Sequence, residues 1–182
     1  MSEEKEPEDD DFDACLEQAR ERLASDAESA LADAADAVDA ALMQRPAAGE
    51  AWLVKAQVLA AAGDSFAALA SVEQARTCGA GALESQWIRA AVLADLGFCD
   101  RALETLAAAQ SALGDAEAWL VEAIYLEQAA ILESIDRPVE AARALEAGLG
   151  RLPDSEALRA GLAPLERARV RGTLRVLPGG RR

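Results

Sequence analysis

Few residues of this chain could do chemistry. Asp33, Asp36 and Asp39 recur every three residues, which places three carboxylates on one side of a predicted helix, where they could bind a cation. Solvated surface charge explains the same pattern, and the sequence predicts no metal site. Cys78 lies in a glycine-rich turn, but no base stands beside it in sequence to activate its thiol.

The sequence contains no histidine at all. This excludes Ser-His-Asp and Cys-His catalysis and every histidine-containing zinc site. A phosphate-binding loop of the GxxxxGK[ST] type is also missing from the sequence. The sequence therefore predicts no enzyme, no catalytic residue, no metal and no cofactor.

The elements that carry these residues are predicted to be helices. Alanine supplies 45 of the 182 residues, whereas there are three Phe, three Trp and one Tyr. Alanine and leucine favour helix, and strands prefer the β-branched and aromatic residues that are scarce here. The predicted fold class is all-α.

Charge is unevenly distributed along the chain, whose net charge is -15. Residues 1–13 carry eight acids and one base, and residues 167–182 carry six arginines and no acid. We predict a disordered acidic arm over residues 1–11 and a basic extended tail over residues 171–182. The tail could meet an acidic partner or fold back on the chain's own acids, and a solvated tail is an equal alternative. An acidic chain repels phosphates, so nucleic acid is not an expected partner.

The sequence also predicts where the protein is found and what kind of organism it comes from. The three cysteines, Cys15, Cys78 and Cys99, form no CxxC pair, so a disulfide framework is not expected. No signal peptide and no apolar run of membrane-spanning length is visible, which predicts a cytoplasmic protein without a membrane span. Sixteen Arg beside two Lys, together with the high alanine content, suggest a bacterial genome rich in GC.

Helical pairs follow one another along the chain, and from residue 49 they repeat. The predicted helices cover residues 12–24, 27–45, 49–62, 65–77, 82–96, 100–113, 116–135, 139–149 and 154–170. The last of them is expected to be interrupted by Gly161 and Pro164. Six small or apolar positions recur with offsets of 34 and then 39 residues. They are Ala56, Leu59, Gly63, Ala68, Val72 and Ala75, then Ala90, Leu93, Gly97, Ala102, Leu106 and Ala109, then Ala129, Leu132, Asp136, Ala141, Leu145 and Gly148.

A 34-residue period with two helices, a Gly-Asp turn and small residues at the helix crossing resembles the tetratricopeptide repeat (TPR). The best match runs from Trp52 through Gly63-Asp64 to Ala75, and Pro153 matches the closing proline. The resemblance implies helical hairpins stacked as a right-handed superhelix over residues 12–170. Within that domain, residues 49–155 hold three repeats, residues 12–45 form a degenerate pair, and residues 154–170 form a capping helix.

The sequence departs from the family pattern in two ways. Lys55, Arg89 and Gln128 stand where the family has leucine, so their long side chains must run along the helix surface or the helices must rotate. An extra turn near Trp119 also lengthens one helix and breaks the 34-residue period.

The resemblance further implies a concave groove lined by the first helix of each pair. The predicted partner-binding residues are Leu53, Gln57, Trp87, Ala91, Leu126 and Glu133, with Ala60, Ala94 and Ala130 between them. Trp87 either anchors a partner or packs on neighbouring helices, and these two interpretations carry equal weight. Trp52 and Tyr125 are predicted to lie in the core.

Three classes of function fit these features. The first is a non-catalytic scaffold that binds a peptide or amphipathic helix of another protein in an apolar groove. The second follows from small size, acidity and about three repeats, which resemble the translocator chaperones of type III secretion. The third is a module that associates with itself through its end repeats, which would make the protein a homo-oligomer.

Overall fold

A computed structural model describes the backbone of residues 7–25 and 29–175, with side chains over residues 11–25 and 29–169. The described residues form helices and contain no strand, which confirms the predicted all-α class. In chain order the helices are α1 (Pro7–Leu23), α2 (Ala30–Gln44), α3 (Gly49–Ala61), α4 (Ser65–Thr77), α5 (Ala82–Asp95), α6 (Cys99–Ser111), α7 (Ala118–Ser134), α8 (Pro138–Arg151) and α9 (Glu156–Arg175).

The first helix begins earlier than predicted. It starts at Pro7, inside the segment that we expected to be a disordered arm. Proline is favoured in the first turn of a helix, and the acids that follow Pro7 suit the positive end of the helix dipole. The part of the predicted arm before Pro7 lies outside the described residues.

The last helix continues where a break was predicted. Gly161 and Pro164 both lie inside α9, which ends at Arg175 instead of near Val170, so the first residues of the predicted extended tail are helical. Leu158, Leu162 and Leu165 are buried on one side of this helix. Burial of this leucine stripe offsets the backbone hydrogen bond that proline cannot donate. Residues 176–182 lie outside the described part of the chain.

The chain divides into two compact units, residues 1–101 and 102–182. In the first unit, two apolar clusters build the core, and α3 contributes to both. The first cluster joins α1, α2 and α3 through Phe12, Leu16, Ala19, Ala34, Ala37, Val38, Ala41, Leu42, Ala51, Val54 and Val58. The second joins α3, α4 and α5 through Leu53, Ala56, Ala68, Val72, Ala75, Ile88 and Val92.

The second unit packs α8 against both α7 and α9. Tyr125 is buried, as predicted, and its ring lies against Gly148, where an added Cβ would stand 3.0 Å from the tyrosine Cβ and Cγ. Leu145 of α8 and Leu158 of α9 are also fully buried. Small residues at the helix crossing therefore allow α7 and α8 to approach closely, as the repeat pattern predicted.

The predicted repeat register is visible in the backbone of three turns. Gly63, Gly97 and Asp136 hold equivalent positions, and their φ angles are 81°, 81° and 59°. After each of them, an amide closes the end of the preceding helix by a bond to the carbonyl five residues back. These bonds are Asp64 N to Leu59 O (2.9 Å), Phe98 N to Leu93 O (2.8 Å) and Arg137 N to Leu132 O (2.8 Å).

Of these three turn positions, Asp136 is the one at which a change to glycine should stabilise the protein. A left-handed backbone costs a residue with a Cβ roughly 1–2 kcal/mol, and aspartate tolerates it better than most residues. We expect Asp136→Gly to raise the free energy of unfolding by about 0.5–1 kcal/mol. Urea unfolding followed by circular dichroism measures it. Gly97→Asp should shift stability in the opposite direction, and a loss of stability in Asp136→Gly would contradict the shared register.

Candidate functional site

The predicted binding surface of the first unit lies on α3 and α5, the first helices of two consecutive pairs, which pack against each other. Gln57 on α3 and Ala91 on α5 are half-buried, as are Ala60 and Ala94 one turn further along each helix. We call the surface formed by Gln57, Ala60, Trp87, Ala91 and Ala94 the α3–α5 face. Apart from Trp87 and Gln57, the side chains on this face are methyl groups.

Leu53 does not belong to this face, although its register position is equivalent to that of Trp87. It is 1% exposed and forms part of the core cluster with Ile88 and Val92 of α5. The side of α3 that carries Leu53 is covered because α5 packs on it. Leu53 therefore stabilises the unit and is not available to a partner.

Trp87 packs against the core and also reaches the surface. Its side chain is half-buried and packs against the same core cluster as Leu53. Its indole nitrogen is buried, so the exposed part of the ring is apolar. A tryptophan with one side in the core and part of its ring at the surface is a rigid apolar contact point.

Trp52 is mainly a structural residue. Its indole nitrogen donates a hydrogen bond to the carbonyl of Pro46 at 2.8 Å, and its ring packs against both core clusters of the first unit. This bond fixes the entry of the chain into α3.

The two bases that replace leucine in the repeat pattern lie at the surface and form ion pairs. Lys55 Nζ is 2.7 Å from Asp39 Oδ1 and 5.5 Å from the centre of the Trp52 ring. Arg89 Nη1 is 3.5 Å from Glu73 Oε1. Both ion pairs reach an acid on a neighbouring helix, Asp39 on α2 and Glu73 on α4.

In the second unit, Leu126 and Glu133 lie on α7. Leu126 is half-buried, and its Cδ2 stands 3.7 Å from the position that a Cβ on Gly161 would occupy, so α9 covers part of it. Glu133 is exposed near the end of the helix. Gln128, the third departure from the leucine pattern, accepts a hydrogen bond from Gln110 at 2.7 Å and joins α7 to α6.

Two of the three aspartates that could have bound a cation are paired with bases. Asp33 Oδ2 lies 3.8 Å from Arg22 Nε, and Asp39 pairs with Lys55. Within residues 11–25 and 29–169, no group of three or more cysteine or acidic side chains is arranged to hold a metal ion.

One carboxyl group of the second unit has a shifted pKa. Arg137 donates to both oxygens of Glu140, at 2.7 Å to Oε1 and 2.5 Å to Oε2, and these hydrogen bonds lower the pKa of Glu140. Glu140 is exposed to solvent, so the pair serves to fix the start of α8 and does not activate a proton.

The sequence did not reveal two cavities in the second unit. A groove of about 510 Å³ is lined by Pro138, Val139, Ala142, Arg143, Glu146, Ala168 and Arg169. A second cavity, of about 490 Å³, is lined by Ala118, Trp119, Glu122, Arg151, Leu152, Pro153, Asp154 and Ser155. The extra turn near Trp119 was visible in the sequence, but nothing in the sequence indicated that it lines a cavity.

The architecture has counterparts among solved structures, although no protein-family model and no curated protein matches the sequence. TTC0263, a thermophilic TPR protein of Thermus thermophilus, is 21% identical, with a TM-score of 0.71 over 85% of this chain and 80% of its own. The MamA protein is 13% identical, with a TM-score of 0.55 over 88% of this chain and 83% of its own. A second MamA structure, MamA AMB-1, is 12% identical, with a TM-score of 0.53 over 88% of both chains.

These likenesses show the fold of the chain, which is that of the tetratricopeptide repeat. The resemblance predicted from Trp52, the Gly-Asp turn and the small residues of the helix crossing is thereby confirmed. Among the described helices, none combines the length and the apolar character that a membrane crossing requires.

Proposed function

We propose that this protein is a non-catalytic interaction module that binds a peptide or an amphipathic helix of another protein on the α3–α5 face. The observation that carries the proposal is Trp87, a half-buried tryptophan flanked by the small residues Ala91 and Ala94. Tryptophan is enriched at the energetic centres of protein interfaces, where surrounding residues exclude water.

The small side chains around Trp87 favour a helical or extended partner. Because Ala60, Ala91 and Ala94 project little beyond the backbone, a partner helix can approach closely and lay its apolar side chains beside the indole. Gln57 adds a polar group that can bond to a partner and fix its register. On α7 the same register positions carry Leu126 and Glu133, which we propose as a contact surface of the second unit.

The charge of the protein restricts the partner. At a net charge of -15, the chain attracts basic molecules over a long range. An amphipathic segment with an apolar stripe and basic flanks therefore fits the α3–α5 face better than an acidic one.

Two substitutions test this surface by affinity capture from a lysate of the native cell, with proteins identified by mass spectrometry. Ala91→Arg places a long charged side chain on the face, and Trp87→Ala removes the apolar contact. We expect each to lower the recovery of a stoichiometric partner at least about tenfold. Ala91→Arg is the cleaner variant because Trp87 also packs against the core.

The matched control is Phe66→Ala, since Phe66 is an exposed aromatic residue on α4 that does not belong to the face. It should leave recovery unchanged, and circular dichroism should show that all three variants are folded. If Ala91→Arg recovered as much of the same partner as the wild type, the binding site would not lie on the α3–α5 face. Recovery of the protein alone, with a mass that rises with concentration, would favour self-association instead.

A further inference from the structure

Trp119 lies on a turn of helix that the repeat does not require. Ala56 and Ala129 hold equivalent positions, and the same offset places the start of α3, Gly49, at Glu122. However, α7 already begins at Ala118 and has 17 residues, whereas α3 has 13 and α5 has 14. The added turn has no counterpart in the first two copies, so the packing of repeats does not explain its tryptophan.

This turn forms one wall of the second cavity, of about 490 Å³. Trp119 is 49% exposed, although tryptophan is usually among the more buried residue types. The opposite wall comes from the end of α8 and the start of α9, where Leu152 and Pro153 add apolar surface. The cavity therefore has the size and the apolar walls to take one long side chain.

Hydrogen bonds fix the position of both walls. Glu117 Oε2 accepts a bond from the indole nitrogen of Trp119 at 2.6 Å. Arg151 Nη2 donates to the carbonyl of Gly114 at 2.9 Å, which joins the end of α8 to the segment before α7. The indole is therefore held in place before any ligand arrives, and this lowers the entropic cost of binding.

Carboxylates dominate the charge around the cavity. Half-buried Glu122 lines it and accepts a hydrogen bond from the Ser155 hydroxyl, and Asp154 lines it at the surface. Glu117 adds a third acid next to the indole. Arg151 is the base among the lining residues, and its guanidinium donates to a backbone carbonyl.

We propose that this cavity binds an arginine side chain of a basic peptide from a partner protein. A guanidinium stacks on an indole face and at the same time bonds to a carboxylate, and here Trp119 and Glu122 offer both groups. Its aliphatic stem would lie along Leu152 and Pro153. An anionic ligand would face Glu122 and Asp154. Asp154 already pairs with Arg159 at 3.5 Å, but an apolar side chain would leave Glu122 without a cation.

This site is independent of the α3–α5 face, so it can be tested without a known partner. The probe is the acetylated and amidated tripeptide Gly-Arg-Gly, added to the 15N-labelled full-length protein. We expect a saturable shift of the Trp119 indole N–H signal, with a dissociation constant on the order of 1 mM. The signals of Trp52 and Trp87 should not move, and the Trp119→Phe variant assigns the responding signal.

Two matched controls separate the expected chemistry from weak general attraction. The same tripeptide with citrulline keeps the shape of arginine without its charge and should leave the signal in place. Glu122→Gln should weaken binding about threefold to tenfold. Glu104→Gln, which changes an exposed acid on α6 outside the cavity, should leave the affinity unchanged.

Any of five outcomes would overturn the proposal. The first four are no shift at saturating peptide, an equal shift with citrulline, an equal shift with the corresponding leucine tripeptide, and equal losses in Glu122→Gln and Glu104→Gln. A Trp119 signal that already moves with protein concentration would assign the cavity to a second copy of the chain and would also contradict the proposal. None of these outcomes bears on the α3–α5 face, which is tested by Ala91→Arg.

Discussion

Replacing Phe12 by alanine is expected to lower the free energy of unfolding by about 3–5 kcal/mol. Phe12 is 0% exposed and is a large member of the cluster that joins α1, α2 and α3. The Arg45 guanidinium also lies 4.3 Å from the centre of its ring, a cation–π contact that alanine cannot make. Truncation removes this contact and leaves a cavity between three helices. Urea unfolding followed by far-UV circular dichroism measures the loss.

Phe66→Ala is the matched control for this substitution. It removes the same atoms from a ring that is 74% exposed on α4, so we expect a change within about 0.5 kcal/mol. The difference between the two variants isolates the burial of Phe12. If Phe12→Ala lowered the free energy of unfolding as little as Phe66→Ala, α1 would not dock on α2 and α3. That result would favour a domain that begins after the first helical pair.

The repeated core of the fold was predictable because each copy supplies independent evidence for the others. Gly63 and Gly97 read as turn residues in the sequence, and their shared register assigned the same role to Asp136. The structure gives all three a positive φ. Sequence features that occur only once, outside the repeats, were harder to interpret. The acids before Phe12 are compatible with a solvated arm or with the first turn of a helix, and composition alone cannot separate the two.

The ends of the helical domain depended on tertiary packing. Gly161 and Pro164 are signals for a break, and a helix in isolation would favour one there. In α9 the buried leucines on both sides of Pro164 outweigh these propensities. Such an effect cannot be read from the segment itself, because it depends on the surface that α8 presents.

Tertiary packing also limited what the sequence could predict about the candidate site. The register placed Gln57 of α3 and Ala91 of α5 at corresponding positions, and both side chains are half-buried in the structure. It could not distinguish Leu53 from Trp87, since burial is decided by which neighbouring helix covers a position. The cavity beside Trp119 was beyond the sequence, because it joins that residue to Arg151 and Ser155 from the far end of α8 and the start of α9.

Gly49→Ala is the second substitution with a large expected effect. Gly49 is buried at the start of α3, where an added Cβ would stand 2.5 Å from the amide nitrogen of Ala80 and 3.0 Å from the carbonyl oxygen of Ala75. These two atoms are joined by the hydrogen bond that closes the end of α4, at 3.0 Å. The methyl group must therefore displace backbone or break this bond. We expect a loss of about 1–3 kcal/mol.

The same substitution at Gly150 should have the opposite sign. Gly150 lies inside α8, and no atom would stand within 4 Å of its added Cβ. Alanine there should raise the free energy of unfolding by up to about 1 kcal/mol, because it restricts the unfolded chain and favours helix. Urea unfolding of the two variants in parallel with the wild type measures both changes. A gain in Gly49→Ala would mean that the start of α3 does not pack against the end of α4, and the close contact between these two helices of one pair would then be wrong.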